Sequence, residues 1–185
     1  MTPEQFIAKW RPSTLTERSA SQSHFNDLCD LLEIPKPADD ATGGDYAFAK
    51  SVDKPDGRKG EADVWKRNCF AWEYKGKAKN LTKAYLQLKE YADALDNPPL
   101  LIVSDMKEIR IHTNFTNTIA EVIVIELSDL NDHIIRRKLV QAFTEPEKLR
   151  PTKTREAVTA EAAAHTRRSP VRSRPPACGT ASCRT

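Results

Sequence analysis

The sequence predicts an α/β domain, a mixed sheet flanked by helices. Three observations predict it. The apolar pattern changes period along the chain, from helical to three short strand-like runs, then to a strong helical stripe, more strand runs and a last helix. The 185 residues, 39% hydrophobic and 30% charged, suffice for one domain with a full core. No internal repeat is present that would point to a solenoid or propeller instead.

The elements follow in order. Thr2-Pro3-Glu4-Gln5 carries the signature of a capping box with proline in the first turn, and Phe6 and Trp10 then share a helical face until Arg11-Pro12 ends the helix. A longer helix is predicted over about Leu15 to Leu32, with Phe25, Leu28 and Leu32 on one stripe that continues back through Ser21 to Glu17. A glutamate on a buried-facing stripe is unusual. Ile34-Pro35-Lys36-Pro37 breaks that helix. Strands are expected at Tyr46–Val52, Glu61–Lys66 and Cys69–Lys75, with a turn-rich segment containing Pro55-Asp56-Gly57 between the first two and Arg67-Asn68 as a tight turn between the second and third. Leu81, Ala84, Tyr85, Leu88, Ala92 and Leu95 form the clearest helical stripe, stopped by Asn97-Pro98-Pro99. Leu100–Ser104 has the continuous apolar pattern of a strand covered on both faces, Ile109–Phe115 alternates, and Ala120–Leu127 is rich in β-branched residues. The last helix is expected from about Leu130 to Phe143.

Bulk properties narrow the function classes. No apolar run approaches the roughly 20 residues of a membrane helix. The N-terminal MTPEQFIAKW lacks the apolar core of a signal peptide, so a cytoplasmic location is expected. Cys29, Cys69, Cys178 and Cys183 have no CxxC or zinc spacing and are read as free thiols. Residues 146–185 hold nine Lys/Arg and three Asp/Glu, which leaves 20 basic and 23 acidic residues in 1–145. A domain that held DNA alone would show a basic excess, so any action on DNA would require something else to do most of the holding.

The chemistry-bearing pattern is Asp63-x9-Glu73-x-Lys75. Phosphodiester cleavage calls for a metal that polarises the phosphoryl oxygen and helps generate hydroxide. Magnesium takes hard oxygen ligands, one or two of them carboxylates. A neighbouring lysine can activate the attacking water and offset charge on the phosphate. Glu73 and Lys75 are two apart on a strand and share a face, with small Cys69 and Ala71 beside them, while Phe70, Trp72 and Tyr74 point to the core. With a two-residue turn Asp63 would oppose Trp72 and face away. A three-residue loop or bulge is therefore expected, pairing Asp63 with Ala71 and setting Glu61 opposite Glu73 as a rival or auxiliary acid. The competing reading is a set of solvated strand charges. Asp96-x8-Asp105-x-Lys107 matches the same loose pattern but lies between a helix end and a hairpin turn, with no strand to align it. Lys77 and Lys79 lead into the next helix, where a phosphate backbone could lie, and on that helix Gln87 and Tyr91 flank the apolar stripe within reach of the site or of DNA.

Phe6-Ile7-Ala8-Lys9-Trp10, Leu15-Thr16-Glu17-Arg18, the Gln22–Leu32 helix, Gly60-Glu61-Ala62-Asp63-Val64-Trp65-Lys66-Arg67 and Cys69-Phe70-Ala71-Trp72-Glu73-Tyr74-Lys75 together resemble the N-terminal PD-(D/E)xK nuclease domain of Mme-like type IIL restriction–modification enzymes, over roughly residues 2–165. The resemblance implies a restriction-endonuclease-like mixed sheet flanked by helices. It implies that Asp63 and Glu73 bind Mg2+, that Lys75 assists the attack, that Glu17 is an additional metal-site acid, and that Gln87 and Tyr91 support the site. The partner it implies is double-stranded DNA, with a methyltransferase and specificity module acting in trans. Such enzymes also use S-adenosylmethionine, but the chain has no Gly-rich loop for the methyl donor, and Asn97-Pro98-Pro99-Leu100 lacks the aromatic residue of the methyltransferase motif.

The expected organisation is a nuclease-like domain over 1–145, the start of a helical connector over 146–166, and a basic tail over 167–185. The tail has two readings. It is a disordered segment, or it is translated from a shifted reading frame of a GC-rich gene, as its Arg, Pro, Ser, Ala and Cys content suggests. Function likewise has two readings: a magnesium-dependent endonuclease of a restriction–modification system, or a non-catalytic N-terminal fragment that only binds DNA or a partner. A plain interaction domain with an exposed charged strand is the third.

Overall fold

The computed structural model describes residues 1–13, 17–53, 57, 59–76, 80–154 and 156, without the side chains of 17–19. Helices α1 (Pro3–Trp10) and α2 (Glu17–Leu32) lead into strands β1 (Tyr46–Asp53), β2 (Lys59–Lys66) and β3 (Phe70–Tyr74). Helix α3 (Leu81–Tyr91) then precedes β4 (Leu100–Ser104), β5 (Glu108–Thr113) and β6 (Val122–Glu126), and α4 (His133–Thr144) follows. The six strands lie side by side in chain order. Neighbours are antiparallel except β3 and β4, which are parallel. A parallel pair needs a crossover, and α3 supplies it. The fold is thus the mixed α/β sheet that the periodicity predicts.

Two cores sandwich the sheet. On one face, α1, α2 and α4 bury Phe6, Trp10, Phe25, Leu28 and Phe143 against Phe70, Trp72 and Tyr74 of β3. Phe25 sits at the centre, its ring centroid 5.2 Å from Trp72 and 5.7 Å from Phe143. On the other face, α3 buries Leu81, Ala84, Leu88 and Tyr91 against Ala71, Leu101 and Val103. β4 is buried throughout because both layers cover it.

The ends of the elements have local causes. At α1, the Thr2 hydroxyl accepts from Gln5 N–H while the Gln5 side chain accepts from Thr2 N–H, closing the predicted capping box. Asn80 caps α3 by accepting from Thr82 and Lys83 N–H. The apolar stripe that predicts a helix through Leu95 is shared between α3 and a 3-10 turn at Asp93–Leu95. The last helix is likewise split, into a 3-10 segment at Leu127–Asn131 and α4, whose N-cap is Asp132.

Beyond residue 145 the chain stays on the domain. Pro146 is buried, Arg150 stacks over Phe115, and Thr154 bridges Thr118. The remainder of the expected connector, and the tail with Cys178 and Cys183, lie outside the described residues. Cys29 and Cys69 are free and buried. Among the described residues no helix is long and apolar enough to cross a membrane.

Candidate active site

The hairpin between β2 and β3 decides where Asp63 points. Its ladder pairs Val64 with Trp72, Trp65 with Ala71 and Lys66 with Phe70. The loop is therefore Arg67-Asn68-Cys69, three residues long, closed by Cys69 N–H donating to Lys66 C=O at 3.1 Å and turned by Asn68 at φ 58°. Asparagine tolerates this left-handed conformation better than most residues.

This register corrects the expected pairing. Continued one step from Val64–Trp72, it sets Asp63 across from Glu73, not Ala71. Glu61 is not opposite Glu73 either. It pairs with Ser51 of β1 and is exposed. Cys69 also leaves the face it was expected to share with Glu73: as a loop residue it turns to the α4 side, where its thiol donates to Phe143 C=O.

A second irregularity shapes β2. Val64 packs in the core beneath α2, yet Ala62 packs in the core beneath α3. In an uninterrupted strand residues two apart share a face, so β2 reverses its faces at Asp63. The break lies beside Ala49 of β1, which adopts φ 54° between the Phe48–Val64 and Lys50–Ala62 pairs. Past Val64 the β2–β3 ladder gives way to a side chain, and the Asp63 carboxylate accepts the main-chain N–H of Tyr74 at 2.6 Å.

Glu73 occupies the centre, 4% exposed. Its Oε1 accepts from Lys75 Nζ at 2.6 Å and from Gln87 Nε2 of α3 at 2.7 Å. Its Oε2 is buried without a hydrogen-bond partner. Burial pushes the Glu73 carboxyl up to about 7, the Asp63 charge adds to the rise, and Lys75 and Gln87 oppose it. Lys75 is half-buried, its N–H donating to Ser104 C=O at the end of β4. The site thus forms at the carboxyl ends of the paired parallel strands β3 and β4, with α3 over it.

The other sequence-derived residues fall as follows. Tyr91 is buried in the α3-side core. Glu17 opens α2, but its side chain, like Lys77 and Lys79, lies outside the described residues. Among the described residues no group of three or more His, Cys, Asp or Glu side chains is poised to hold a metal. The rival set is dispersed: Asp96 is an exposed helix-end residue at φ 62°, while Asp105 accepts from Lys107 and Glu108 N–H inside a turn. Sequence reasoning missed Tyr74 as the group that holds Asp63. The contact is made by a main-chain N–H, which no residue type announces.

Two neighbouring carboxylates, one of them with a buried unpaired oxygen, suit a hard divalent cation. The lysine and amide beside them orient one carboxylate and bring positive charge to the same point.

Comparison with known proteins adds the family. A family model described as "MmeI, N-terminal domain" matches residues 1–168. A solved structure titled "cryoEM structure DrdV-DNA complex" aligns with a TM-score of 0.47 at 18% identity, over 77% of this chain and 13% of that one. No curated protein matches.

Proposed function

Since the chain belongs to the MmeI N-terminal domain family, we propose that it is a magnesium-dependent endonuclease domain that hydrolyses DNA phosphodiester bonds in a restriction–modification system. One observation carries the reading: the Asp63 carboxylate, held on Tyr74 N–H, is near enough for its charge to raise the Glu73 carboxyl, with the Lys75 ammonium on Glu73 and the second Glu73 oxygen unpaired. An unpaired buried carboxylate oxygen is costly unless something binds it. A divalent cation meets that need, and the donor chemistry fits.

Asp63 and Glu73 would hold the ion, with Glu17 as a third acid. Bound there, Mg2+ would polarise the phosphoryl oxygen and favour hydroxide as nucleophile. The protein's own groups have separate tasks. Tyr74 N–H fixes the Asp63 carboxylate. Gln87 fixes one oxygen of Glu73 and so orients the other. Lys75, whose ammonium sits on Glu73, would bring positive charge to where a phosphate gathers negative charge and would hold or orient the attacking water. The Glu73 carboxyl, raised by burial to about 7, would need little to lose its proton near neutrality if a cation were held there.

The matched DrdV chain is far longer than this one, which covers 13% of it. Recognition of a DNA sequence and methyl transfer with S-adenosylmethionine would fall to a methyltransferase and specificity module acting in trans. Purified chain with supercoiled plasmid should nick or linearise it with Mg2+ and not with chelator. Asp63→Ala and Lys75→Ala should abolish the cutting while leaving the circular dichroism spectrum unchanged. Cutting that survives both substitutions, or no Mg2+ or Mn2+ binding by calorimetry, would refute the assignment.

A further inference from the structure

His24 lies in α2, across the sheet from Asp63 and Glu73, and is 1% exposed. Its Nδ1 is 2.8 Å from the Tyr74 hydroxyl. The ring is packed edge-on against Phe6 at 5.2 Å, Trp10 at 4.8 Å and Tyr74 at 5.5 Å. Trp10 in turn donates its indole N–H to Asp27 of α2. Burial pulls the imidazole down to about 3, so it is neutral at working pH. A neutral imidazole offers one donor and one acceptor nitrogen, and a phenol can answer either.

Tyr74 is the residue between Glu73 and Lys75, and it is fully buried. It is held from two sides. Its main-chain N–H donates to Asp63 at 2.6 Å, and its hydroxyl meets His24. This matters because the β2–β3 ladder ends at Val64–Trp72. Beyond that pair, β4 holds one edge of β3 through Glu73–Val103 and Tyr74–Ser104. Toward β2, the Asp63–Tyr74 contact stands where ladder bonds would otherwise be. Anchoring the Tyr74 side chain to α2 therefore holds in place the stretch of β3 backbone whose N–H Asp63 accepts.

We propose that His24 and Tyr74 form a positioning pair, which clamps the carboxyl end of β3 to α2 and so fixes Asp63 relative to Glu73. Its consequence for metal binding rests on the reading of Asp63 and Glu73 as the ion's ligands. Neither ring touches the reacting groups; the pair acts through the Tyr74 main chain.

The test uses the full chain with Tyr74→Phe, His24→Leu, their combination, and His24→Asn, whose side-chain amide can occupy the position of Nδ1. Two quantities are measured: amide hydrogen exchange by NMR at Tyr74, with Ile111 and Leu28 as core references, and Mn2+ affinity by calorimetry. Tyr74→Phe and His24→Leu should each speed exchange at Tyr74 selectively and weaken Mn2+ binding by roughly three- to tenfold, at or below the scale of removing an outer-shell partner of a metal ligand. The double variant should be no worse than the weaker single variant, because both remove one interaction. His24→Asn should recover most of the loss. Unchanged Tyr74 exchange, equal acceleration at all three amides, or additive losses would each overturn the proposal. If the wild-type chain binds no Mn2+, the metal reading fails and the exchange data alone decide whether the pair holds Tyr74.

Discussion

Replacing Glu73 by glutamine tests the electrostatics of the site without any assumption about DNA. The carboxyl is 4% exposed and titrates at about 7 in the folded chain, against 4.5 for an unperturbed glutamate. Between those values the native state holds a proton that the unfolded chain has released. Stability therefore falls as pH rises through this window, and the loss is complete above pH 7. A gap of about 2.5 pH units corresponds to about 3 kcal/mol. Glutamine keeps an oxygen to accept from Lys75 and Gln87 but carries no charge to desolvate. Glu73→Gln should match the wild type in stability at pH 4 and exceed it by up to about 3 kcal/mol at pH 8, a rise of roughly 6–12 °C in melting temperature for a chain of this size. The assay is thermal or urea denaturation at both pH values with chelator present. Added Mn2+ should stabilise the wild type at pH 8 and leave the variant unmoved. A variant less stable than the wild type at pH 8 would refute the picture of a desolvated carboxylate whose cost is tolerated for a bound ion.

Three further predictions follow from the same geometry. Deleting Asn68 leaves Arg67-Cys69 as a two-residue loop with Lys66 still opposite Phe70, so Asp63 should stay across from Glu73 and Mn2+ binding should persist; calorimetry that finds binding abolished would show that the three-residue turn itself, and not the register alone, positions the site. Gln87→Leu removes a donor from the charged form of Glu73, so the pH midpoint of Mn2+ binding should move upward, by about one pH unit for one lost hydrogen bond of ordinary strength; a downward movement in a pH series would refute the role given to the amide. Phe25→Ala empties the centre of the aromatic core and should cost about 3–5 kcal/mol in urea denaturation, and a loss below about 1 kcal/mol would mean that the core closes over the gap.

Much of the fold was legible because its determinants are local. Thr2, Pro3 and Gln5 specify a helix start through contacts within four residues. The stripe from Leu81 onward specifies α3, and the unbroken apolar run Leu100–Ser104 specifies a strand covered twice. Glu73 and Lys75 were bound to share a face by strand parity, and they do. Boundaries read less well where 3-10 turns take over the ends of apolar stripes, as at Asp93–Leu95, since a stripe constrains the buried face and not the hydrogen-bond pattern.

The sequence by itself determined which side chains are chemically able to act and which of them alternate together along one strand. Tertiary structure alone decided whether Asp63 joins Glu73. That outcome hangs on a loop of three residues in place of two, on Asn68 and Ala49 in left-handed backbone, and on a face reversal within β2. Each one-residue change of register inverts every side chain beyond it, and parity carries no record of how many residues the turn consumes. The contact from His24 to Tyr74 spans 50 positions and two elements. No periodicity reaches that far, so only the packing of α2 on the sheet could bring it about.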